Sequence, residues 1–206
     1  MVKKMLKTKV NYDKLLTEII SSLTYKPKLL LHSCCGPCSS YVITYLKDYF
    51  DITILYYNPN IEPKEEYEKR KKEQIKLINH LNIAHLDLLE VDYENEVYKN
   101  KIIGYEQEKE GGSRCHICYE LRLEKTALLA KENNYEFFCT TLSVSPYKNA
   151  NVLNEIGERL ANIYNIKWLY SDFKKKEGYK KSIELSKKYE LYRQDYCGCL
   201  FSKISE

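Results

Sequence analysis

Long apolar runs are missing from this 206-residue sequence. None approaches the roughly 18 residues of a membrane-crossing helix, so no span is expected. The start, Met1 to Val10, is basic, but Asn11, Asp13 and Lys14 follow where a leader would carry an apolar core. A signal peptide is therefore not expected, and the compartment is expected to be the cytoplasm. Arginine is scarce: 5 of the 33 basic residues, the other 28 being lysine. Neither sign of charge dominates, because 33 Lys+Arg minus 29 Asp+Glu leaves +4, which excludes a histone-like polycation. Repeats and low-complexity linkers are also absent. With 44% hydrophobic and 30% charged residues the chain is not wholly disordered. Its length suits one domain spanning 1–206, with residues 93–125 as the place for a small helical excursion.

What the sequence does have is 20 tyrosines and 8 cysteines. Richness in tyrosine and lysine is matched by a biased genome composition and carries little weight. In a reducing compartment, clustered cysteines bind metal or do redox chemistry more often than they form structural disulfides.

The patterning alternates helix and strand. Tyr12, Leu15, Leu16, Ile19, Ile20 and Leu23 fall at helical spacing over 11–24. Lys28–Ser33 reads as a buried strand, and Pro37 stands where a helix begins, with Val42, Ile43, Leu46 and Tyr49 inward. Ile52–Tyr57 is a second strand, broken by Asn58-Pro59-Asn60. Pro63 opens a charged helix to about His80. Further strands are expected at Leu86–Val91, Tyr135–Thr141 and Ile166–Tyr170. Further helices are expected at Ile117–Glu132, Ala150–Tyr164 and Tyr179–Tyr189, with one short helix within 93–114. This order implies an α/β fold: a mostly parallel sheet with helices on both faces.

Seven cysteines form three groups. Cys34, Cys35 and Cys38 lie where the first strand turns into a helix, at the carboxyl end of a strand, where open α/β sheets bind ligands. Cys115 and Cys118 sit at the start of a helix with i, i+3 spacing, a pattern shared by redox dithiols, zinc knuckles and cluster half-sites. Cys197-Gly198-Cys199 allows a strained, easily reduced disulfide, a pair of metal ligands, or two free thiols. Four thiolates satisfy zinc or a [4Fe–4S] cluster, so seven exceed one site. The eighth, Cys139, in Phe137-Phe138-Cys139-Thr140, reads as a core residue.

Taken in order, these motifs resemble the epoxyqueuosine reductase family QueH. The resemblance runs through His32-Ser33-Cys34-Cys35-Gly36-Pro37-Cys38, Tyr56-Tyr57-Asn58-Pro59-Asn60-Ile61 and Glu66-Tyr67-Glu68-Lys69-Arg70. It continues in Arg114-Cys115-His116-Ile117-Cys118-Tyr119, Arg122-Leu123, Thr140-Thr141-Leu142 and Ser145-Pro146-Tyr147-Lys148-Asn149. It ends in Tyr192-Arg193-Gln194-Asp195-Tyr196-Cys197-Gly198-Cys199. The combination is specific where no single motif is.

The resemblance implies a PP-loop/HUP-like fold with a cysteine-rich metal site at the carboxyl ends of the strands. It implies reduction of the epoxide of epoxyqueuosine at the wobble position of tRNA, the last step of queuosine synthesis. It also implies a [4Fe–4S] cluster and an adjacent mononuclear iron, without cobalamin. Matching positions makes Cys34, Cys35, Cys115 and Cys118 the cluster ligands. Cys197 and Cys199 become a redox pair or ligands of the second iron. At Cys38 family members can carry Asp, and because both residues bind iron, that exchange points to a metal ligand.

Deoxygenating an epoxide takes two electrons and two protons, so an external electron donor is required. Asp195 and Tyr196 are candidate proton donors, with ordinary loop hydrogen bonding as the alternative. Arg114, Arg122 and Arg193 lie beside the cysteines and suit phosphate or base recognition. The run Lys174, Lys175, Lys176, Lys180 and Lys181 is either a solvated face or a phosphate contact. His32 and His116 are left outside the metal shell. Two other classes compete: a PP-loop-type tRNA thiolase using ATP, and a zinc-stabilised binding module without catalysis. Ser33-Cys34-Cys35-Gly36-Pro37-Cys38-Ser39 lacks the Ser-Gly-Gly-x-Asp-Ser loop that would cradle ATP pyrophosphate.

Overall fold

A computed structural model describes residues 10–203; the basic start that bears on the leader expectation lies, Val10 apart, outside the described residues. Five strands, β1 (Lys28–His32), β2 (Asp51–Leu55), β3 (Asp87–Leu89), β4 (Phe137–Thr140) and β5 (Lys167–Trp168), form one all-parallel sheet in the order β3-β2-β1-β4-β5. The chain winds outward from β1 to β3, then returns to the other side for β4 and β5. Strand order therefore reverses between β1 and β4, and such a switch point opens a crevice at the carboxyl ends of the strands.

The helices are α1 (Tyr12–Ser22), α2 (Gly36–Leu46), α3 (Lys64–Leu81), α4 (Asn95–Lys101), α5 (Ser113–Glu132), α6 (Ala150–Tyr164) and α7 (Gly178–Lys188). They cover both faces, as the strand–helix alternation predicts. Leu29 and Leu31 of β1 point into a layer built from α1, α2, α3 and α7, with Leu16, Ile43 and Leu77. Leu30, one residue out of phase, points into the opposite layer with Tyr98, Leu123 and Leu160 of α4, α5 and α6. Side chains alternating across a pleated strand give β1 two buried faces, hence its unbroken apolar run.

Local signals set most boundaries. The Asn11 side chain caps α1 by accepting from the Lys14 amide at 3.1 Å, and Asn149 caps α6 likewise. Asn82 and Asn165 end α3 and α6 in the left-handed conformation, φ 44° and 50°. One helix departs from the expectation: α5 starts at Ser113, four residues before Ile117. The cap comes from the preceding loop, where the Glu108 carboxylate accepts from the Ser113 amide at 3.2 Å. The edge strands β3 and β5 are shorter than their apolar runs. No helix among the described residues is long and apolar enough to cross a membrane.

Candidate metal centre and active site

The thiols gather at the carboxyl edge. β1 ends at His32, and the turn Ser33–Cys35 carries the chain into α2, with Cys35 at the N-cap and Pro37 in the first turn. A Cβ on Gly36 would lie 3.0 Å from the Glu73 carbonyl, so a glycine here lets α2 approach the backbone of α3. Ser33 fixes the turn from within: its hydroxyl lies 2.5 Å from Ser39 Oγ and donates to Gln74 Oε1 at 2.6 Å, while Asn58 Nδ2 donates to its carbonyl at 2.8 Å. Across the switch point, the Thr141 hydroxyl accepts from the Cys34 amide at 3.2 Å and donates to Cys34 Sγ at 3.4 Å.

The sulfurs of Cys34, Cys35 and Cys38 all lie within 4.8 Å of one another, the one group of three or more potential ligand atoms this close among the described residues. The Cys34 and Cys35 sulfurs lie 3.7 Å apart. Hydrogen bonding among the three thiols lowers the Cys35 pKa, raises that of Cys34 to about 11 through Cys35, and raises that of Cys38 through Cys34 and then Cys35. Cys115 and Cys118 project from the first turns of α5 and are buried together with Cys199, and Cys34 packs against that cluster. Burial pushes Cys118 up to about 12. Arg122 pulls it down, and the neighbouring Cys197, Cys199 and Cys115 add to the rise. Cys115 Sγ accepts from the Gly111 amide at 3.2 Å. Cys139 faces the other core layer, where its thiol donates to the Leu169 carbonyl at 3.3 Å; it takes no part in the site.

The Cys-Gly-Cys segment is clasped from the far side of the sheet. Arg70, 1% exposed and paired with Glu66 at 2.7 Å, donates to the carbonyls of Cys197 at 3.1 Å and Tyr196 at 3.4 Å. The Gly198 carbonyl accepts from the Glu62 amide at 2.8 Å. Gly198 has φ +124°, and a Cβ there would meet Ile61 Cγ1 at 2.8 Å. The Tyr-Asn-Pro-Asn-Ile and Glu-Tyr-Glu-Lys-Arg segments thus hold the segment in place.

A cavity of ≈ 260 Å³ opens between Cys34, Cys38, Arg122, Lys148, Asp195 and Cys197. A larger cavity of ≈ 960 Å³ lies at the amino ends of the strands, bordered by Tyr25, Trp168 and Tyr170 but by no cysteine. The smaller one holds the cysteines. At its rim Asp195 is exposed, whereas the Tyr196 hydroxyl donates to the Glu62 carbonyl at 2.7 Å. Lys148, 7% exposed, donates to Cys197 Sγ at 3.2 Å and to Glu110 at 2.9 Å.

The histidines stay outside the thiol group. His32 is fully buried with both ring nitrogens engaged: Nδ1 lies 2.8 Å from Thr140 Oγ1 and Nε2 lies 3.1 Å from the Tyr57 carbonyl. Nε2 donates to that carbonyl, and burial, then the charge of Arg122, drives the pKa to about 3, so the ring is neutral. His116 is half-buried and lies against Tyr119.

Two arginines are more buried than their place beside the motifs suggests. Arg114 and Arg122 are each 2% exposed; Arg114 turns inward, whereas Arg122 borders the cavity. Arg114 Nη1 donates to the carbonyls of Tyr105, Glu106 and Glu108 and ties down the loop before α5. Arg193 is exposed at the cavity rim. Within the lysine run, Lys174 pairs with Asp172 at 2.9 Å, Lys176 with Asp13 at 3.4 Å and Lys180 with Glu177 at 3.5 Å. Lys148 and Arg70, which contact Cys197, are residues that sequence reasoning did not single out; both lie inside quoted motifs.

The residues fit a thiolate-held metal centre. All eight cysteines are free thiols; Cys34, Cys38 and Cys197 line the cavity, and Cys115, Cys118 and Cys199 are buried in the core cluster against which Cys34 packs. Buried Arg122 Nη2, Tyr119 Oη and Gln194 Oε1 beside them lack hydrogen-bond partners among the described residues. Soft thiolates select zinc or iron–sulfur centres, and nearby buried cations offset their charge.

Comparison with known proteins points to one family. The family profile described as Epoxyqueuosine reductase QueH matches residues 29–205. The chain is 45% identical over 211 residues to the Epoxyqueuosine reductase QueH of Staphylococcus epidermidis, covering 98% of this chain and 89% of that protein. Its counterpart in Staphylococcus aureus is 41% identical, covering 100% and 89%. That of Thermotoga maritima is 36% identical, covering 85% and 90%.

Proposed function

The chain belongs to the epoxyqueuosine reductase QueH family, and from that membership we propose that it is a cytoplasmic iron–sulfur enzyme that reduces epoxyqueuosine in tRNA to queuosine. The observation that carries the reading is the gathering of the Cys34, Cys35 and Cys38 sulfurs within 4.8 Å of one another at the switch point of the sheet, beside a small cavity that Cys197 also lines. The reaction balances as epoxide plus two electrons and two protons giving alkene and water, the electrons coming from an external donor.

In this reading residues 1–206 form one PP-loop/HUP-like domain, consistent with the strand order. Cys34, Cys35, Cys115 and Cys118 hold a [4Fe–4S] cluster. Cys38, with Cys197 and Cys199, serves an adjacent iron, or Cys197 and Cys199 form a redox pair. Cobalamin is not required. When bound, the cluster supplies single electrons and the iron a Lewis acid.

The protein's own groups do the rest. Lys148 and Arg122 keep the region positive. The cavity, at ≈ 260 Å³, is near the lower end of ligand-sized sites (roughly 300–1,000 Å³) and suits one ring of a modified base rather than a stacked helix. The wobble base therefore enters splayed from its neighbours. Of the two proton-donor candidates Asp195 fits better, its carboxyl being exposed at the rim while the Tyr196 hydroxyl is engaged with Glu62.

The test is anaerobic purification with iron and sulfide quantification, followed by an assay on epoxyqueuosine-containing tRNA with a chemical reductant. Iron, acid-labile sulfide and conversion to queuosine are expected. A colourless protein holding zinc alone and giving no conversion would make it a non-catalytic binding module.

A further inference from the structure

Three of the buried basic side chains near the cavity have obvious partners. Arg70 has Glu66 at 2.7 Å, Lys148 has Glu110 at 2.9 Å, and Arg114 is taken up by backbone carbonyls. Arg122 is likewise 2% exposed and, like Arg114, has no carboxylate partner among the described residues, but of the two it alone borders the cavity. Its Nε donates to the Cys118 carbonyl and its Nη1 to Asn58 Oδ1, each at 3.3 Å, while Nη2 has no partner. It borders the cavity beside Cys34 and Cys197. Burial works against its charge, whereas negative charge on Cys118, Cys197 and Cys34 works for it. A buried cation without a counter-ion is among the costliest arrangements in a folded chain, so its counter-ion has to be sought in the sulfurs around it.

We propose that Arg122 is a positioning residue for the metal centre, supplying the fixed positive charge that favours its reduced state; this rests on reading the site as an iron–sulfur centre. A cluster held by four thiolates is a net anion and gains negative charge with each electron. A desolvated guanidinium beside it stabilises the reduced form more than the oxidised one and raises the potential. The step is a one-electron transfer from an external low-potential donor to the cluster. No bond is made or broken at Arg122, and its protons stay where they are. Lysine in its place keeps the charge but loses the two-point attachment to Cys118 and Asn58.

The experiment is a redox titration of the anaerobically purified protein with dithionite, followed by visible absorbance and electron paramagnetic resonance, on wild type, Arg122→Met, Arg122→Gln and Arg122→Lys. The expected result is a more negative midpoint potential in the Met and Gln variants and a near-wild-type value in the Lys variant. Loss of the cluster in both neutral variants with retention in Arg122→Lys is also the expected sign, the charge then being needed to hold the anion at all. An unchanged potential in a fully loaded neutral variant overturns the inference. So does loss of the cluster in Arg122→Lys, or weakened tRNA binding at an unchanged potential. A wild-type protein without iron would be recognised before any variant is made; it would bring down the metal-centre reading and this inference with it.

Discussion

The ammonium of Lys148 lies 3.2 Å from the sulfur of Cys197, 49 residues away along the chain, and is almost wholly withdrawn from solvent. One charged group thereby joins two segments, since it also holds Glu110 in the loop before α5. Lys148→Met removes both contacts. Because Glu110 is partly exposed and rehydrates, the expected loss is about 1–2 kcal/mol of stability, read by urea unfolding under reducing conditions. Turnover is expected to fall by about tenfold or more, the equivalent of one charge-assisted hydrogen bond. Wild-type values for both would show that the contact carries nothing.

Cluster assembly separates the cysteines. Cys115→Ser and Cys118→Ser are each expected to lose most iron and sulfide, whereas Cys139→Ser, whose sulfur faces the opposite core layer, keeps full content. Full iron content in the Cys115→Ser, Cys118→Ser double variant would remove these residues from the ligand set.

The clasped segment is expected to serve turnover rather than assembly. Cys197→Ser and Cys199→Ser should retain the visible absorbance of the cluster and lose multiple-turnover epoxide reduction. Gly198→Ala tests the backbone. Its φ of +124° and the 2.8 Å approach to Ile61 predict a loss of about 1–3 kcal/mol in unfolding free energy, read by urea unfolding. A variant of either cysteine that turns over normally would take the tail out of the reaction.

For tRNA, the ion pairs of Lys174 and Lys176 reduce what the lysine run can offer. Replacing Lys174, Lys175 and Lys176 with Ala is expected to lower the salt slope of tRNA binding by ~1 rather than by the full count. Tyr147, 75% exposed at the cavity rim, is the better handle on a splayed base. Tyr147→Ala should weaken binding by about 1–3 kcal/mol and Tyr147→Phe hardly at all. Equal losses in the two variants would rule out stacking.

Much of this architecture is legible from residue order. Leu29-Leu30-Leu31 can only be a strand buried on both faces, and Pro37 and Pro63 mark where α2 and α3 begin. The thiols are equally visible, because cysteine in pairs and triplets has few meanings. What escapes is the second layer of the site. Arg70, Arg122 and Lys148 read as surface charges, since such residues are rarely buried without a partner, and their partners lie far along the chain. The burial of Arg114 and Arg122 escapes for the same reason: adjacency to a motif does not reveal which way a guanidinium points. The early start of α5 was hidden because its cap comes from Glu108, in a loop without periodicity.

The hydrogen bond from Arg70 to the Cys197 carbonyl spans 127 residues, and this dictates the order in which the molecule can be built. Contacts of such separation form late, after the local helices and the central strand pairs have closed the intervening loops. Until then Cys34 has a neighbouring thiol at Cys35 but none of its distant ones, and the nearest oxidation product is a wrong one. Maturation is therefore expected to depend on a thiol-reducing environment. Refolding in air is expected to yield trapped, metal-free chains, while refolding under reductant restores a site that metal can enter.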